Sequence, residues 1–248
     1  MTALPFTEQI DILMQWAVNR RSQAVCVANT HMLIEAYRNP VFSTVLRSAD
    51  MVTPDGMPLV WMMKLMGALN QDRVAGMDIF RALCKTAPQQ KVSIFLLGSQ
   101  SDILNRIRVR LEDEFPDLDI AGIEPLPFRP MTPAEDQSMI ERVNASGAGL
   151  VFLALGCPKQ EAWIAQHKHQ IQAVMIGLGG VFPVYAGIHK RAPRWIRESG
   201  FEWLYRLLQE PRRLWKRYRT TIPVFIWLAL RQILVQKGRG EPLMRSRV

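Results

Sequence analysis

Short, mostly apolar runs alternate along the chain with longer stretches in which apolar residues recur every three or four positions. The runs are Ala24–Ala28, Asp50–Thr53, Lys91–Leu97, Leu118–Ile123, Leu150–Leu155 and Ala173–Leu178. Each is short enough for a strand, and most stop at glycine or a small polar group: Asn29-Thr30, Pro54-Asp55-Gly56, Gly98-Ser99, Gly156, Gly179-Gly180. The stretches between them predict helices. In residues 8–20, Ile10, Leu13, Met14 and Val18 share a face. Further helices are expected over His31–Arg38, Pro40–Ser48, Met57–Leu69, Ile79–Thr86 and Asp102–Phe115. Another opens at the capping box Thr132-Pro133-Ala134-Glu135 and runs to about Ser146, and one more starts within Cys157–Glu161. Strands that are apolar throughout, rather than alternating, belong to a sheet covered on both faces. The α/β alternation over residues 24–180 therefore predicts a doubly wound, mostly parallel sheet with right-handed crossovers.

In such folds ligands bind beyond the carboxyl ends of the strands, where free helix N–H groups also gather. Polar residues at strand ends are thus the first candidates for chemistry. Asp55 follows a short strand in a glycine-permitted turn, as a catalytic base, an acceptor for sugar hydroxyls or a turn-forming residue. Asn29 and Thr30 end the first strand and can equally cap the next helix. Arg73 can clamp a phosphate, and Gly76 can bring backbone N–H groups to it; a surface arginine and a helix-start glycine are the plainer alternatives. Lys159, Gln160 and Glu161 offer a cation, a donor–acceptor pair and an acceptor on a first helical turn. His31 fits a surface helix position better than a ligand.

Charge changes the picture. Residues 187–248 hold 15 Lys and Arg against 4 Asp and Glu, whereas the first 186 hold 16 against 18. A near-neutral body thus carries a basic segment, which implies an anionic partner. Within it Trp195, Trp203, Tyr205, Trp215, Tyr218 and Trp227 interleave with arginines and lysines, over helical stretches at 203–208 and 211–218. The apolar run Ile222–Leu230 is too short to span a bilayer but suits a lipid interface, with aromatics at headgroup depth and cations on anionic lipid. Nucleic acid would give that run little to bury against, so no nucleic-acid partner is expected; packing on the chain's own body or on a second subunit is the remaining alternative.

Other classes drop out. The three cysteines are scattered, with no CxxC and no metal-ligand spacing, as in a reducing cytoplasm. The N-terminus carries acids within its apolar part, unlike a secretory signal. GxGxxG, GxxxxGK[ST] and GxSxG are all missing. A DxD occurs at Asp117–Asp119, but at a helix–strand junction, where it is a turn rather than a metal-bridged diphosphate site.

Taken together, VANTHML (27–33), VTPDG (52–56), RVAGMD (73–78), FLLGS (95–99), EPLPFRPM (124–131), LALGCPKQE (153–161), GLGGVF (177–182), AGIHKRAPRW (186–195) and FEWLYRLLQEPRRLWKRY (201–218) resemble the WecG/TagA/CpsF glycosyltransferases of bacterial polysaccharide and teichoic-acid assembly. The resemblance implies a Rossmann-like body over residues 1–186 and a basic helical appendage over 187–248 that reaches the membrane. It implies inverting transfer of a hexose or N-acetylhexosamine from a UDP-sugar to a polyprenyl-diphosphate-linked acceptor, in exopolysaccharide or cell-surface polysaccharide synthesis. No metal and no cofactor are implied. The enzyme would work on the inner face of the cell membrane as a peripheral, cytoplasmic protein, with room for a homo-oligomer. Asp55 matches the implied base. Donor binding would fall to Asn29, Thr30, Arg73, Gly76, Gly98, Lys159, Gln160 and Gly180. Arg206, Arg213, Lys216 and Arg217 would meet the acceptor diphosphate or the membrane, Lys216 standing where arginine is usual. Two departures fall at the implied donor pocket: Val27 where many members have threonine, and Pro183 where an aspartate often follows the aromatic. They argue against N-acetylmannosamine or its uronic acid as the donor and for another hexose. A nucleotide-binding module without chemistry, whose basic tail binds membrane or nucleic acid, is the alternative function.

Overall fold

The computed structural model describes residues 1–127 and 129–239; Phe128 of the proline-rich loop and residues 240–248 of the basic segment lie outside the described residues. Six strands form one sheet: β1 (Gln23–Ala28), β2 (Met51–Pro54), β3 (Ile94–Gly98), β4 (Ile120–Glu124), β5 (Leu150–Ala154) and β6 (Val174–Gly177). Their spatial order is β2-β1-β6-β5-β3-β4, and every pairing is parallel. Each apolar run of the sequence became a strand, displaced by no more than three residues at either end.

Alternate residues of each strand feed opposite cores. Val25 and Val27 of β1 join Ile94, Phe152 and Ile176 in a cluster with α1 (Phe6–Val18), α5 (Gly76–Thr86), α6 (Ser101–Glu114) and α9 (Val181–Tyr185). Phe80 packs edge-on against both Phe152 and Tyr185 there, with ring centroids 5.0 and 4.9 Å away. Ala24, Phe95 and Val151 face the opposite side, against α7 (Pro133–Ala145) and α8 (Lys159–His167). Cys26 and Ala28 continue that side under α2 (Thr30–Arg38), α3 (Pro40–Ser48) and α4 (Met57–Leu65). Both faces are therefore dry, which is why the strands carry no polar alternation.

Short helices follow the sheet: α10 (Arg194–Glu198), α11 (Glu202–Gln209), then the long α12 (Pro211–Arg239). The apolar run Ile222–Leu230 is not a separate unit but the middle of α12, which continues through Pro223. Proline removes one N–H from the helical ladder. Around it the Thr220 and Thr221 hydroxyls bond back to Arg217's carbonyl, and Arg38 of α2 donates to the Thr220 carbonyl at 2.7 Å. One side of α12 packs on the body, with Leu214 and Thr221 buried and Phe225 against the α2–α3 cluster. The other side leaves Trp215, Ile226, Trp227, Leu230 and Leu234 exposed. No helix among the described residues is long and apolar enough to cross a membrane.

Candidate functional site

The carboxyl ends of β2, β1, β6 and β5 lie side by side, and over them opens a cavity of about 890 Å³. Its floor is made of strand-end residues, Asn29, Asp55, Gly156 and Gly179 among them. Its far walls come from α4, α11 and α12, which contribute Trp61, Glu202, Trp203, Arg206, Arg213 and Arg217. That volume lies within the range of sites that enclose a small organic ligand or cofactor.

Asp55 is held by its backbone as well as its neighbours. Its N–H donates to the Ala28 carbonyl at 2.8 Å, which prolongs the β1–β2 ladder one residue past Pro54. The loop before α5 runs alongside, with Val74 N–H donating to the Pro54 carbonyl at 2.9 Å. That approach brings Arg73 against Asp55: its Nε donates to the Asp55 carbonyl, and its Nη2 lies 3.4 Å from Asp55 Oδ1. The Gly76 backbone N–H also acts on the Asp55 carboxylate, favouring its charged form. Burial pushes the Asp55 carboxyl above the usual carboxylate range; the Arg73 charge opposes this, Glu202 adds to the rise, and Arg206 and the Gly76 N–H pull it down. A strand-end carboxylate with a raised pKa is suited to accept a proton.

Arg73 does not stop at Asp55. The same Nη2 lies 2.6 Å from Glu202 Oε2 of α11, and Glu202 Oε1 lies 3.7 Å from Arg206 Nε. Arg206 in turn approaches Gly180, where a Cβ would stand 3.5 Å from the guanidinium. Farther along, Arg213 is held by Glu210. Arg217 has no carboxylate within ion-pair distance among the described residues. Burial lowers the Arg217 pKa, with Arg213 beside it acting in the same direction. Burial and the charges of Arg217 and Arg38 likewise lower His31 to about 4, so it lines the cavity as a neutral imidazole at pH 7. Arg191 and Arg197 face the cavity too, both directed at Asp78. The net result is a cationic wall facing a strand-end carboxylate, an arrangement that can neutralise a diphosphate beside a proton acceptor.

The glycine turns have a more local task. Gln160 is 5% exposed and both polar atoms of its amide are engaged: Oε1 accepts from Gly156 N–H at 3.0 Å and Gly179 N–H at 3.1 Å, and Nε2 donates one bond, to Glu161 at 2.7 Å. It ties the ends of β5 and β6 together as part of the cavity floor. A Cβ on Gly179 would stand 2.6 Å from Gln160 Oε1 and 2.9 Å from Gly156 N. Gly179→Ala is therefore expected to cost about 1–3 kcal/mol in chemical denaturation, with weakened ligand binding beside it. Glu161 is wholly buried beneath Gln160, and burial raises its pKa.

Several expected site residues meet around this cavity: Asn29, Thr30, Asp55, Arg73, Gly76, Gln160, Gly180, Arg206, Arg213 and Arg217. Some of them also make local contacts. Asn29 Oδ1 caps α2, accepting from Met32 N–H at 3.2 Å. Gly76 lines the cavity, and its N–H favours the charged form of Asp55. Three residues stand outside the cavity lining. Gly98 ends β3, one strand beyond β5 in the sheet, and its positive φ of 87° and the Ala154 carbonyl, 2.9 Å from any added Cβ, account for the glycine. Lys159 is exposed on the outward side of the first turn of α8, and Lys216 on the outward side of α12. Sequence reasoning gave no role to Glu202, Arg191 and Arg197, which reach the site because the chain after the sheet folds back over it; Arg191 and Glu202 lie within AGIHKRAPRW and FEWLYRLLQEPRRLWKRY, the signal that could have found them. His31, read as a surface helix residue, lines the cavity where α12 lies against α2.

Comparison with known proteins agrees with this geometry. Residues 1–239 match the glycosyl transferase WecG/TagA/CpsF family. The chain is 36% identical over 208 residues to an N-acetylglucosaminyldiphosphoundecaprenol N-acetyl-beta-D-mannosaminyltransferase of Bacillus spizizenii, covering 84% of this chain and 78% of that one. It is 35% identical over 229 residues to the Bacillus subtilis protein of the same name, covering 91% and 86%. With the family matched across nearly its whole length, the chain belongs to the WecG/TagA/CpsF glycosyltransferases.

Proposed function

We propose that this glycosyltransferase moves a hexose or N-acetylhexosamine, with inversion, from a UDP-sugar to a sugar carried on a polyprenyl diphosphate. The observation that carries the reading is the pairing of Asp55, on the cavity floor, with the arginines of α11 and α12 on the wall. Asp55 takes the proton of the acceptor hydroxyl as its oxygen attacks the anomeric carbon; the bond from that carbon to the diphosphate oxygen breaks, and UDP leaves. One base is enough for a single displacement, which inverts the anomeric centre. Arg206, Arg213 and Arg217 neutralise diphosphate charge, with Arg73 and the Gly180 turn nearer the donor. Cations of the chain do this work, so EDTA is expected to leave the initial rate within twofold; loss of activity restored by a divalent ion would end the metal-free reading.

The relatives are named for transfer of N-acetylmannosamine to N-acetylglucosaminyl-diphosphoundecaprenol. That pair of substrates is the first to test here. Val27 and Pro183 both line the cavity and are the positions at which the donor sugar is expected to differ. Residues 1–186 serve as the catalytic body, and 187–248 as the appendage that docks it on the inner face of the membrane, in cell-surface polysaccharide synthesis.

The test is a panel of UDP-sugars supplied with vesicles carrying prenyl-diphosphate-linked N-acetylglucosamine, the lipid products read by mass spectrometry. One donor should add a single sugar residue to the acceptor. Tight UDP binding with no product from any donor would instead leave a nucleotide-binding module without chemistry.

A further inference from the structure

Arg73 stands between two carboxylates and treats them unequally. Glu202 Oε2 is 2.6 Å from its Nη2, and Asp55 Oδ1 is 3.4 Å from the same nitrogen. Both carboxylates are about three-quarters shielded, each at 24% side-chain exposure, so these charges interact with little screening. The two acids come from distant parts of the chain: Asp55 from the end of β2, Glu202 from the first turn of α11. No residue of α11 is fully buried, so the helix is not fixed over the cavity by a core of its own. Its start is held by local contacts, Trp203 packing edge-on against Tyr218 of α12 among them. Gly200, at φ 80°, abuts Trp61 of α4 so closely that a Cβ would stand 2.5 Å from the ring, and Glu202 reaches Arg73.

We propose that Glu202 is a positioning residue for the transfer: by taking the strong bond from Arg73 it holds that guanidinium off the Asp55 carboxylate and keeps the base free to accept a proton. The inference rests on Asp55 being the base. Without Glu202, Arg73 has one carboxylate left in reach, and a close Arg–Asp pair makes a poor proton acceptor. The remaining groups that act on Asp55 are Arg206 and the Gly76 N–H, both of which also disfavour its protonated form. Arg197 stands behind, acting on Arg73 and Glu202 with the same sign as the other arginines. Among the described residues that act on Asp55 here, Glu202 supplies the negative charge. It also makes competence of the base depend on α11 being seated, since the same carboxylate that tunes Arg73 belongs to the helix that walls the cavity.

The experiment compares wild type, Glu202→Gln and Asp55→Asn as full-length chains on acceptor vesicles, following kcat and KM for the donor from pH 4 to 9. Glutamine keeps the shape and a weak hydrogen bond but not the charge. Glu202→Gln is expected to lower kcat at pH 7 about tenfold and to move its acid limb down by about one pH unit, with donor KM changed less than threefold. Glu202→Asp should recover part of the rate and return the acid limb toward its original position. A Glu202→Gln profile that falls uniformly with the acid limb unmoved would overturn the inference, because a merely loosened α11 does that. Normal turnover in Asp55→Asn would instead remove the base on which the inference stands, so the two failures are separable.

Discussion

Asp55→Asn is expected to reduce turnover by about a thousandfold while UDP binds within a few-fold of wild type. Asparagine is close to isosteric, its carbonyl oxygen can still accept from Arg73 Nη2, and its N–H still donates to the Ala28 carbonyl, so the turn after β2 keeps its partners. What the amide cannot do is take a proton from the acceptor hydroxyl. The cationic wall is untouched, so a diphosphate still finds Arg206, Arg213 and Arg217. Initial rates of UDP release with acceptor vesicles, beside calorimetric titration with UDP, separate the two effects. Normal release by the variant would take the role of base away from Asp55.

The second large effect is expected on membrane docking. Trp227, Leu230 and Leu234 are 54, 56 and 70% exposed on the side of α12 opposite Leu214, Thr221 and Phe225. In the proposed docking these exposed apolar side chains, with arginines beside them, enter the lipid interface. Each is worth on the order of 1 kcal/mol or more when buried. The triple change Trp227→Ser, Leu230→Ser, Leu234→Ser should therefore weaken sedimentation with anionic vesicles by about a hundredfold. Because these side chains do not pack on the body, the melting temperature should stay within a few degrees of wild type. Unchanged vesicle binding would move the docking surface away from α12.

The sheet was legible because burial on both faces leaves an unmistakable mark: strands with no polar position from Leu150 to Ala154 or from Ile94 to Gly98. Asp55 was legible for a related reason, since a carboxylate after such a strand has only the carboxyl edge to occupy. Spatial order was not. Nothing local distinguishes the end of β3 from the ends of β5 and β6, so Gly98 was grouped with Gly156 and Gly180 although the sheet sets it one strand farther out. Commitment of hydrogen bonds was equally hidden. Gln160 looked free to meet a nucleotide, but two glycine N–H groups and Glu161 use its amide. Lys159, one residue earlier, turns to solvent because the helix rotates it off the cavity. Glu202, Arg191 and Arg197 depend on chain reversal after the sheet, which is decided by packing of α12 on α2. The length of α12 was hidden as well: the helical stretch 211–218 and the apolar run Ile222–Leu230 are one helix, carried past Pro223 by local back-bonding and Arg38.

A single carboxylate acting as base beside a leaving diphosphate has one stereochemical consequence, and it can be read directly. With an α-linked UDP-sugar that the donor panel shows to be used, the anomeric coupling of the newly attached sugar on the lipid product, measured by NMR, should be that of the β anomer. An α-linked product would mean a second displacement or a front-face transfer, and would contradict a mechanism in which Asp55 alone activates the acceptor.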